Sequence, residues 1–463
     1  MSCAARFACG ALRHALHRAR RSGTRSIGWG RLVTALRAEG VFKVFGRRPN
    51  EAVRRLRDGA SREDVAGLGT AAVIDTTFEV TPGEIFVVMG LSGSGKSTLI
   101  RMLNGLVRPT AGSIILGEHD LAKVSAAELR DIRRKRVSMV FQHFALLPHR
   151  SVLDNAAFPL EISGVDKAER RRRAAEALGM VGLDGWEDSL PSQLSGGMRQ
   201  RVGLARALAA DTDVLLMDEA FSALDPLIRS EMQEQLLELQ QTLGKTIIFI
   251  THDLNEAMHL GDRIAMMRDG RIVQIGTSEQ ILTEPADEYV ATFVADVDRT
   301  RVLTAGSVMV RPKAVVFAAA GPHVALRQMR DEQVSAAYVV DRNRKLLGVV
   351  RDQDISAAVR LGPVALVDLT RDEVSAVSTD ALLAELFAPA AETPLPVPVI
   401  DARGRLVGVI PRVTLLDAMT PTTAEVAVVD PATDPSDAYP IAVGPDLDTE
   451  LDDLRLTTTG DPR

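Results

Sequence analysis

The residues best suited to binding phosphate lie in one glycine-rich stretch, residues 90–98. An apolar run at 85–89 precedes this stretch and a helix-like segment at 99–105 follows it, so the predicted order is strand, turn and helix. Glycines in such a turn let successive backbone N–H groups point into one concavity, and the helix presents its positive N-terminus. We predict a phosphate site formed by Gly90, Ser92, Gly93, Ser94, Gly95, Lys96, Ser97 and Thr98. The alternative is a glycine-rich turn that binds nothing.

Two carboxylates follow a second apolar strand, and they suggest chemistry on the bound phosphate. The strand at 214–217 ends in Asp218 and Glu219. In an ATPase with such a phosphate loop, the first carboxylate binds Mg²⁺ through water and the second accepts a proton from the attacking water. Lys96 can reach the β- and γ-phosphates, and the Ser97 hydroxyl can hold the Mg²⁺. The alternative interpretation is an ordinary strand end at the carboxyl edge of a sheet.

A histidine ends a third apolar strand. His252 follows the run at 247–250, from which it could contact the γ-phosphate. We predict that Asp253 caps the next helix and that Glu256 completes a capping box. That capping role would leave His252 free to act.

A second anion site is predicted at another helix N-terminus. Ser195, Gly196 and Gly197 come directly before a helical pattern that continues to Ala209. Backbone N–H groups at a helix start bind anions. Together with the phosphate loop, these residues could form the two halves of a sandwich around ATP.

The elements that must position these residues follow an α/β pattern. Apolar strands at 137–141, 214–217 and 247–250 alternate with helical stretches, which is typical of a buried and mostly parallel sheet. A charged helical insertion is expected between core strands, at about 145–210. Near the start, an early strand is predicted at 41–45, and a polar segment at 47–68 separates it from a second strand at 73–80.

Composition fits a soluble globular protein of about three domains. The chain has 463 residues, of which 25% are charged, with a formal net charge of -6. It contains no run of 18 apolar residues, so we expect no membrane span. Cys3 and Cys9 give no disulfide framework or metal spacing, and a reducing compartment fits.

The two ends of the chain differ in charge. Residues 1–38 are rich in arginine and lack Asp and Glu, so their composition resembles a targeting peptide without the apolar core of a secretory signal. We favour a solvated, disordered basic arm, or a start codon placed too far upstream, over a targeting peptide. Residues 421–463 are predicted to form a disordered acidic tail.

Residues beyond 300 contain an internal repeat. The segment at 339–350 aligns with the segment at 399–410, an offset of 60 residues (399 minus 339). Each copy is strand, polar turn and strand, and ends in Gly and two β-branched residues. We predict two small βαββα modules that bury their faces against each other.

These motifs together resemble the nucleotide-binding subunit of ABC transporters. Residues 194–200 match the family's signature motif, which in one protomer covers the ATP held by the other. The segments at 90–98, 144–149 and 217–229, the helical insert after the first strand and a C-terminal pair of CBS modules look like the ATP-binding subunit of glycine betaine/proline importers. The resemblance covers roughly residues 39–420 and is strongest over 78–297.

The resemblance implies a fold, a division into domains and roles for further residues. The fold is a P-loop NTPase with a helical subdomain, followed by an α/β tandem CBS pair. The implied division is a basic arm at 1–38, an ATP-binding domain at 39–298, CBS modules at 300–360 and 361–420, and the tail at 421–463. Gln142 matches the glutamine that senses Mg²⁺ on the permease side, Glu219 the general base and His252 the switch histidine.

The remaining family positions concern nucleotide binding and the dimer interface. Phe45 is the best candidate for the aromatic residue that stacks on adenine, although Phe42 is nearby. Asp225 matches a loop at the dimer interface, and it could also simply cap the helix that starts at Pro226. The implied catalytic residues are Glu219, His252 and Gln142, and the implied Mg²⁺ ligands are Ser97, Gln142 and Asp218.

The resemblance implies an ATP hydrolase that powers uptake of compatible solutes for osmoprotection. The expected partners are a second copy of the chain, membrane permease subunits and, through them, a substrate-binding protein; no nucleic-acid partner is expected. The subunit would lie peripherally on the cytoplasmic face of the inner membrane. Other amine or amino-acid cargoes remain open. A non-transport ABC ATPase is disfavoured, because one phosphate loop and no sustained heptads occur.

The CBS repeat departs from the adenosine-binding pattern of many such modules. The first copy has Asp354 but Arg351 where a hydroxyl residue is usual, and the second copy lacks both. The resemblance therefore favours a gate that responds to ionic strength. Basic residues on the predicted turns could contact anionic lipid, although charged turns are usually only solvated; they are Arg342, Arg344, Lys345, Arg403 and Arg405.

Overall fold

The computed structural model describes residues 34–142, 144–295, 297–372 and 374–419. The predictions for the basic arm before residue 34, including Cys3 and Cys9, and for the acidic tail lie outside the described residues. Among the helices in this part of the chain, none is long and apolar enough to cross a membrane.

Sixteen strands are assigned in these ranges. They are β1 (Leu36–Gly46), β2 (Gly69–Val80), β3 (Ile85–Met89), β4 (Ala111–Leu116), β5 (His119–Asp120), β6 (Val137–Phe141), β7 (Val214–Asp218), β8 (Thr246–Thr251), β9 (Arg263–Arg268), β10 (Arg271–Gly276), β11 (Val315–Phe317), β12 (Ala336–Val340), β13 (Leu346–Arg351), β14 (Val377–Ser378), β15 (Val397–Ile400) and β16 (Leu406–Ile410).

The helices of the same ranges connect these strands. They are α1 (Pro49–Arg57), α2 (Lys96–Leu103), α3 (Ala126–Arg136), α4 (Val152–Ile162), α5 (Lys167–Met180), α6 (Gly196–Ala209), α7 (Pro226–Leu243), α8 (Leu254–Leu260), α9 (Ser278–Thr283), α10 (Glu288–Val294), α11 (Ala305–Val308), α12 (Pro322–Asp331), α13 (Asp352–Leu361), α14 (Leu383–Glu392) and α15 (Arg412–Met419), with short 3₁₀ turns at Pro191–Gln193, Arg299–Arg301 and Leu366–Leu369.

A six-stranded sheet, in the order β10-β9-β3-β8-β7-β6, forms the centre of the N-terminal domain. Five of its strands are parallel, and only β10 pairs antiparallel. Every residue of β3 and β8 is buried, as expected for strands covered on both faces. The carboxyl ends of β3, β7 and β8 therefore meet at one edge of the sheet, which is where the predicted phosphate loop, carboxylates and histidine lie.

A second, antiparallel sheet in the order β2-β1-β4-β5 covers α2 from the other side. Its first strand begins at Leu36, so the boundary predicted at residue 39 falls inside a strand. The strand expected at 41–45 is only the end of β1, because Leu36 and Ala38 also pair with Val80 and Phe78 of β2. These early residues are fully buried and extend the sheet toward the chain start.

The helical insertion packs as a compact unit. Helices α4, α5 and α6 contact one another, and their buried apolar residues join the core beside β7. Ser151 and Asp166 cap the first two of these helices by accepting hydrogen bonds from Asp154 N and Ala168 N. The unit carries the predicted second anion site at the start of α6.

The two C-terminal modules repeat the same register. In the first module, Val339 of β12 pairs with Gly348 of β13; in the second, Val399 of β15 pairs with Gly408 of β16. Both pairs keep the 60-residue offset found in the sequence. The repeat therefore encodes two copies of one antiparallel strand pair.

The modules also exchange their leading segments. Val310, before the first module's strands, bridges to Val409 of the second, whereas Arg371 bridges to Val349 of the first. This exchange was not apparent from the sequence, because the repeat alone predicts two consecutive units. One buried cluster includes Val290 of α10, Leu303 and Leu383, so the N-terminal domain and the second module share a core.

Candidate functional site

The glycines of the phosphate loop are required by close backbone approach. Gly95 has φ +107°, and a Cβ there would lie 2.3 Å from the carbonyl oxygen of Ala72. A Cβ on Gly90, at φ +153°, would lie 2.2 Å from the carbonyl oxygen of Met267. Neither position can hold a side chain without moving the neighbouring strand, so the loop is fixed against both sheets.

Lys96 lies over this loop at the start of α2. Its Nζ donates hydrogen bonds to the carbonyl oxygens of Gly90 and Leu91 at 2.7 and 3.0 Å. Burial lowers the pKa of the Lys96 ammonium, and the carboxylates of Glu219 and Asp218 oppose that shift. The ammonium is thus held where the phosphates of a nucleotide would meet the loop.

An open cleft of about 640 Å³ extends along the loop. Its lining joins segments that are distant in sequence; the residues are Phe45, Arg62, Thr70, Ala72, Leu91, Ser92, Gly93, Gly95, Lys96, Ser97, Thr98, Glu219 and His252. Beside it, the Ser94 hydroxyl is buried with no hydrogen-bond partner in this part of the chain. An unpartnered donor in a loop of this shape fits a ligand with oxygen acceptors.

The lining of the cleft includes an aromatic residue. Phe45 is 45% exposed, whereas Phe42 is 2% exposed and packs against the antiparallel sheet. Of the two candidates, only Phe45 offers its ring to a ligand. Its neighbours there are Arg62 and Thr70, which the motif analysis did not single out.

Strand β7 ends in Asp218 and is followed by Glu219, which lines the cleft. Burial, and then the charge of Glu219, raise the pKa of Asp218 above its ordinary value, with Arg101 and Lys96 opposing. Glu219 has φ +47°, and its backbone N–H donates to the carbonyl oxygen of Ile250 at 2.9 Å. This left-handed turn is costly for a residue with a side chain, and the bond to β8 holds it in place.

Glu219 is linked to the other two residues with predicted catalytic roles. Its Oε2 lies 3.3 Å from Nδ1 of His252, which follows β8. Gln142, after β6, donates through Nε2 to the Ser222 hydroxyl at 3.2 Å, and that hydroxyl donates to the carbonyl oxygen of Glu219 at 2.9 Å. Residues that follow three neighbouring strands therefore meet around Glu219: His252 at its carboxylate, and Gln142 at its backbone carbonyl through Ser222, which begins the matched dimer-interface loop.

The predicted capping box at α8 is only half correct. Asp253 caps the helix by accepting from Glu256 N at 3.2 Å. The Glu256 side chain does not return to the cap, because it is buried against α7 and accepts a hydrogen bond from Gln233 Nε2 at 3.1 Å. His252 remains half exposed at the cleft, as the capping prediction required.

The predicted second anion site lies apart from this cleft. Ser195 caps α6 by accepting from Met198 N at 3.3 Å, and Asp225 caps α7 by accepting from Ile228 N at 3.1 Å. A Cβ on Gly197 would lie 2.5 Å from Cγ2 of Ile228, so the two helix starts are packed together. In the described part of the chain, neither these residues nor Gly196 line the cleft.

Comparison with known proteins assigns both parts of the chain. The sequence model of the ABC transporter family matches residues 73–222, and the CBS domain model matches residues 305–361. A glycine betaine transport ATP-binding protein of Bacillus subtilis is 50% identical over 386 residues, covering 83% of this chain and 92% of that protein.

Two further relatives match over a similar span. A glycine betaine/carnitine transport ATP-binding protein of Listeria monocytogenes is 48% identical, covering 84% of this chain and 98% of that protein. A glycine betaine/proline betaine transport system ATP-binding protein of Escherichia coli is 46% identical, covering 83% and 97%. With its nucleotide cleft, its helical subdomain and its C-terminal CBS region, the chain belongs to the ABC transporter family, as an ATP-binding subunit that carries a CBS domain.

Proposed function

We propose that this chain hydrolyses ATP to power import of a betaine-type compatible solute. The single observation that carries the proposal is the cleft in which the phosphate loop, Lys96, Glu219 and His252 converge. The cargo is inferred from relatives at 46–50% identity whose names specify glycine betaine with proline betaine or carnitine.

Different residues of the cleft bind the nucleotide and activate the attacking water. Lys96 and the backbone N–H groups of residues 90–98 bind the phosphates, and Phe45 stacks on the base. Glu219 orients a water molecule and takes its proton at a carboxylate oxygen. His252 holds that carboxylate through the 3.3 Å contact and contacts the γ-phosphate.

The donor set also fits Mg²⁺. Ser97 is exposed at the start of α2, Asp218 ends β7, and Gln142 lies beside them through Ser222. Magnesium prefers oxygen ligands and is usually held by one or two side chains together with phosphates and water. When bound, it would offset phosphate charge; Ser97, Asp218 and Gln142 would hold it.

Two copies of the chain complete the site. Ser195, Gly196 and Gly197 present the N-terminus of α6 away from the cleft of their own chain. A head-to-tail dimer with twofold symmetry places each α6 start, with Asp225, over the ATP of the partner. ATP then closes the dimer and hydrolysis reopens it.

A groove beside Gln142 fits a permease helix. It has a volume of about 430 Å³, is lined by exposed Leu106, Phe141 and Ile162, and is rimmed by arginines of α3 and by Arg206. An apolar floor with a polar rim is typical of a groove that binds a helix. Docking there places the subunit on the cytoplasmic face of the inner membrane, and the permease in turn receives a substrate-binding protein.

Uptake into proteoliposomes tests the cargo. We expect the complex of this chain, its permease and its binding protein to accumulate radiolabelled glycine betaine only when ATP is inside. Excess unlabelled proline betaine should compete, and methionine should serve as the control that does not. ATP-driven uptake of another amine in preference to glycine betaine would replace the cargo while retaining the ATPase.

We further propose that the CBS modules respond to ionic strength. Their two polar turns lie side by side, because Leu346 N donates to Gly404 O and Leu406 N to Arg344 O. This places the exposed basic residues on one rim; they are Arg342, Arg344, Lys345, Arg403 and Arg405. Hydrogen bonds from Arg405 lower the pKa of Asp401 to about 2, so the Arg405 charge is partly compensated within its turn.

The nucleotide alternative for the modules is less favoured. The Asp354 carboxylate, which a ribose would need, lies 3.2 Å from Nε of Arg371. An anionic surface, either lipid or the acidic tail, matches the basic rim. Attraction of this kind weakens with salt, because the Debye length falls from about 10 Å at 0.1 M to about 3 Å at 1 M.

Neutralising the five rim residues to Gln should raise ATPase activity at low salt and flatten its dependence on salt. The reason is that low salt holds the rim clamped and the enzyme idle. The measurement is transport-coupled ATPase activity in anionic liposomes across internal KCl concentrations. Arg327→Gln with Arg330→Gln, exposed on α12, is the control and should keep the wild-type profile. An unchanged profile in the rim variant, or activation by AMP bound to the modules, contradicts this mechanism.

A further inference from the structure

The polar segment between β1 and β2 is a folded extension of the antiparallel sheet. Val53, Leu56 and Val65 are buried against Phe42 and Ile74 in a small core of their own. The base of the segment is closed tightly, because a Cβ on Gly69 would lie 2.4 Å from the carbonyl oxygen of Phe45. The segment is therefore fixed at the mouth of the cleft, directly after the aromatic residue.

Local hydrogen bonds set the position of Arg62 within this segment. Ser61 N donates to Oδ2 of Asp64 at 2.8 Å, and Asp64 N donates to Oγ of Ser61 at 3.2 Å. These bonds from Ser61 lower the pKa of Asp64, and the next residue, Val65, is fully buried. A reciprocal turn beside a buried anchor holds the backbone at Arg62 in one place.

The Arg62 side chain lies in the wall of the cleft. It lines the same cleft as Phe45, Thr70, Glu219 and His252. Its Nη1 donates to Oδ1 of Asp269 at 3.4 Å, and Asp269 is 67% exposed. A long, exposed ion pair of this kind is weak and uses one of the five N–H donors of the guanidinium.

We infer that Arg62 binds the base and ribose end of the nucleotide. A guanidinium in the same cleft as the Phe45 ring can stack on an adenine and donate to ribose oxygens. This inference rests on the proposed ATP site and adds a contact supplied by the β1–β2 segment. ATP and ADP share the base and the ribose, so such a contact should stabilise both alike.

Nucleotide affinity of the full-length chain tests the inference. Arg62→Ala should raise the Kd of a fluorescent ATP analogue, and that of ADP measured by displacement, by about tenfold each. The Kd values of Arg62→Lys should lie between those of the unaltered chain and those of Arg62→Ala, since lysine keeps the charge and loses the planar fork. Inorganic tripolyphosphate, which has no base or ribose, should displace the analogue with the same intrinsic affinity from the unaltered chain and from Arg62→Ala.

The controls separate the possible causes of failure. Arg55→Ala removes an exposed arginine of the same segment, paired with Glu51, and should leave every Kd unchanged. Unchanged affinity in Arg62→Ala, a loss confined to ATP, or an equal loss for tripolyphosphate would overturn the assignment. Lys96→Ala tests the site itself: if it leaves the Kd of ATP unaltered, the proposed function fails, independently of Arg62. Thermal unfolding of each variant identifies any loss of fold.

Discussion

Replacing Glu219 by Gln is expected to lower the rate of ATP hydrolysis by about 10²-fold or more while ATP still binds. The amide keeps the size of the carboxylate and the contact with His252, but it cannot accept a proton from water. The backbone turn at φ +47° is fixed by the bond from Glu219 N to Ile250 O, so the substitution should not move the side chain. ATP bound without turnover should accumulate in a closed dimer.

Steady-state ATPase activity and size-exclusion chromatography with MgATP measure the two effects. Glu238→Gln, an exposed position on α7, is the matched control and should behave like the unaltered chain. His252→Ala should lower the rate as well, because it frees the Glu219 carboxylate from its 3.3 Å contact. Hydrolysis by the Glu219→Gln variant at a near-normal rate would remove Glu219 from the role of base.

Local pattern was sufficient to predict that the glycine-rich loop, the two carboxylates and His252 lie at one edge of the sheet. Continuous apolar runs in a sequence indicate buried parallel strands, and the carboxyl ends of such strands meet at one edge of the sheet. Asp218, Glu219 and His252 each follow such a run, so their convergence could be predicted from the order of the elements. The geometry of the site also depends on close backbone contacts, such as that between Gly95 and the carbonyl oxygen of Ala72. A glycine in the sequence indicates that such a contact is possible, but it does not identify the partner.

The position of Arg62 in the cleft could not be predicted in the same way. Arg62 belongs to a polar segment whose fold depends on packing Val65 and Leu56 against strands β1 and β2 of the antiparallel sheet. No periodicity in that segment distinguishes Arg62 from its neighbouring arginines. The Ser61–Asp64 spacing was a usable signal for a fixed turn, although it does not say which wall the turn joins.

The C-terminal repeat shows a similar limit. The repeat predicts the pairing of Val339 with Gly348, because both partners lie within one copy. The bridge between Val310 and Val409 joins residues 99 apart (409 minus 310), and nothing in either copy specifies it. Long-range pairing of this kind is decided by burial after the strands have formed, and short motifs carry little information about it.

The substitution Ser195→Arg is expected to abolish ATP-dependent dimerisation and ATP hydrolysis, although Ser195 lies outside the cleft of its own chain. Ser195 caps α6 through Met198 N, and a long cation at this helix start would occupy the place of the partner's γ-phosphate. ATP binding to the monomer should persist, because the phosphate loop is untouched. Lys96→Ala should instead weaken ATP binding directly.

Mixing the two variants makes the prediction sharper. A heterodimer of Ser195→Arg and Lys96→Ala chains contains one site with both halves intact and one site with both halves damaged. Random pairing makes about half of the dimers mixed, so about a quarter of the sites should be intact in an equimolar mixture. We expect ATPase activity to appear on mixing two chains that are each inactive alone, and Lys96→Ala mixed with Glu219→Gln should show no such recovery, because both changes lie on the cleft side. If Ser195→Arg chains dimerise with ATP as the unaltered chain does, or if mixing restores nothing, the partner's α6 does not complete the site.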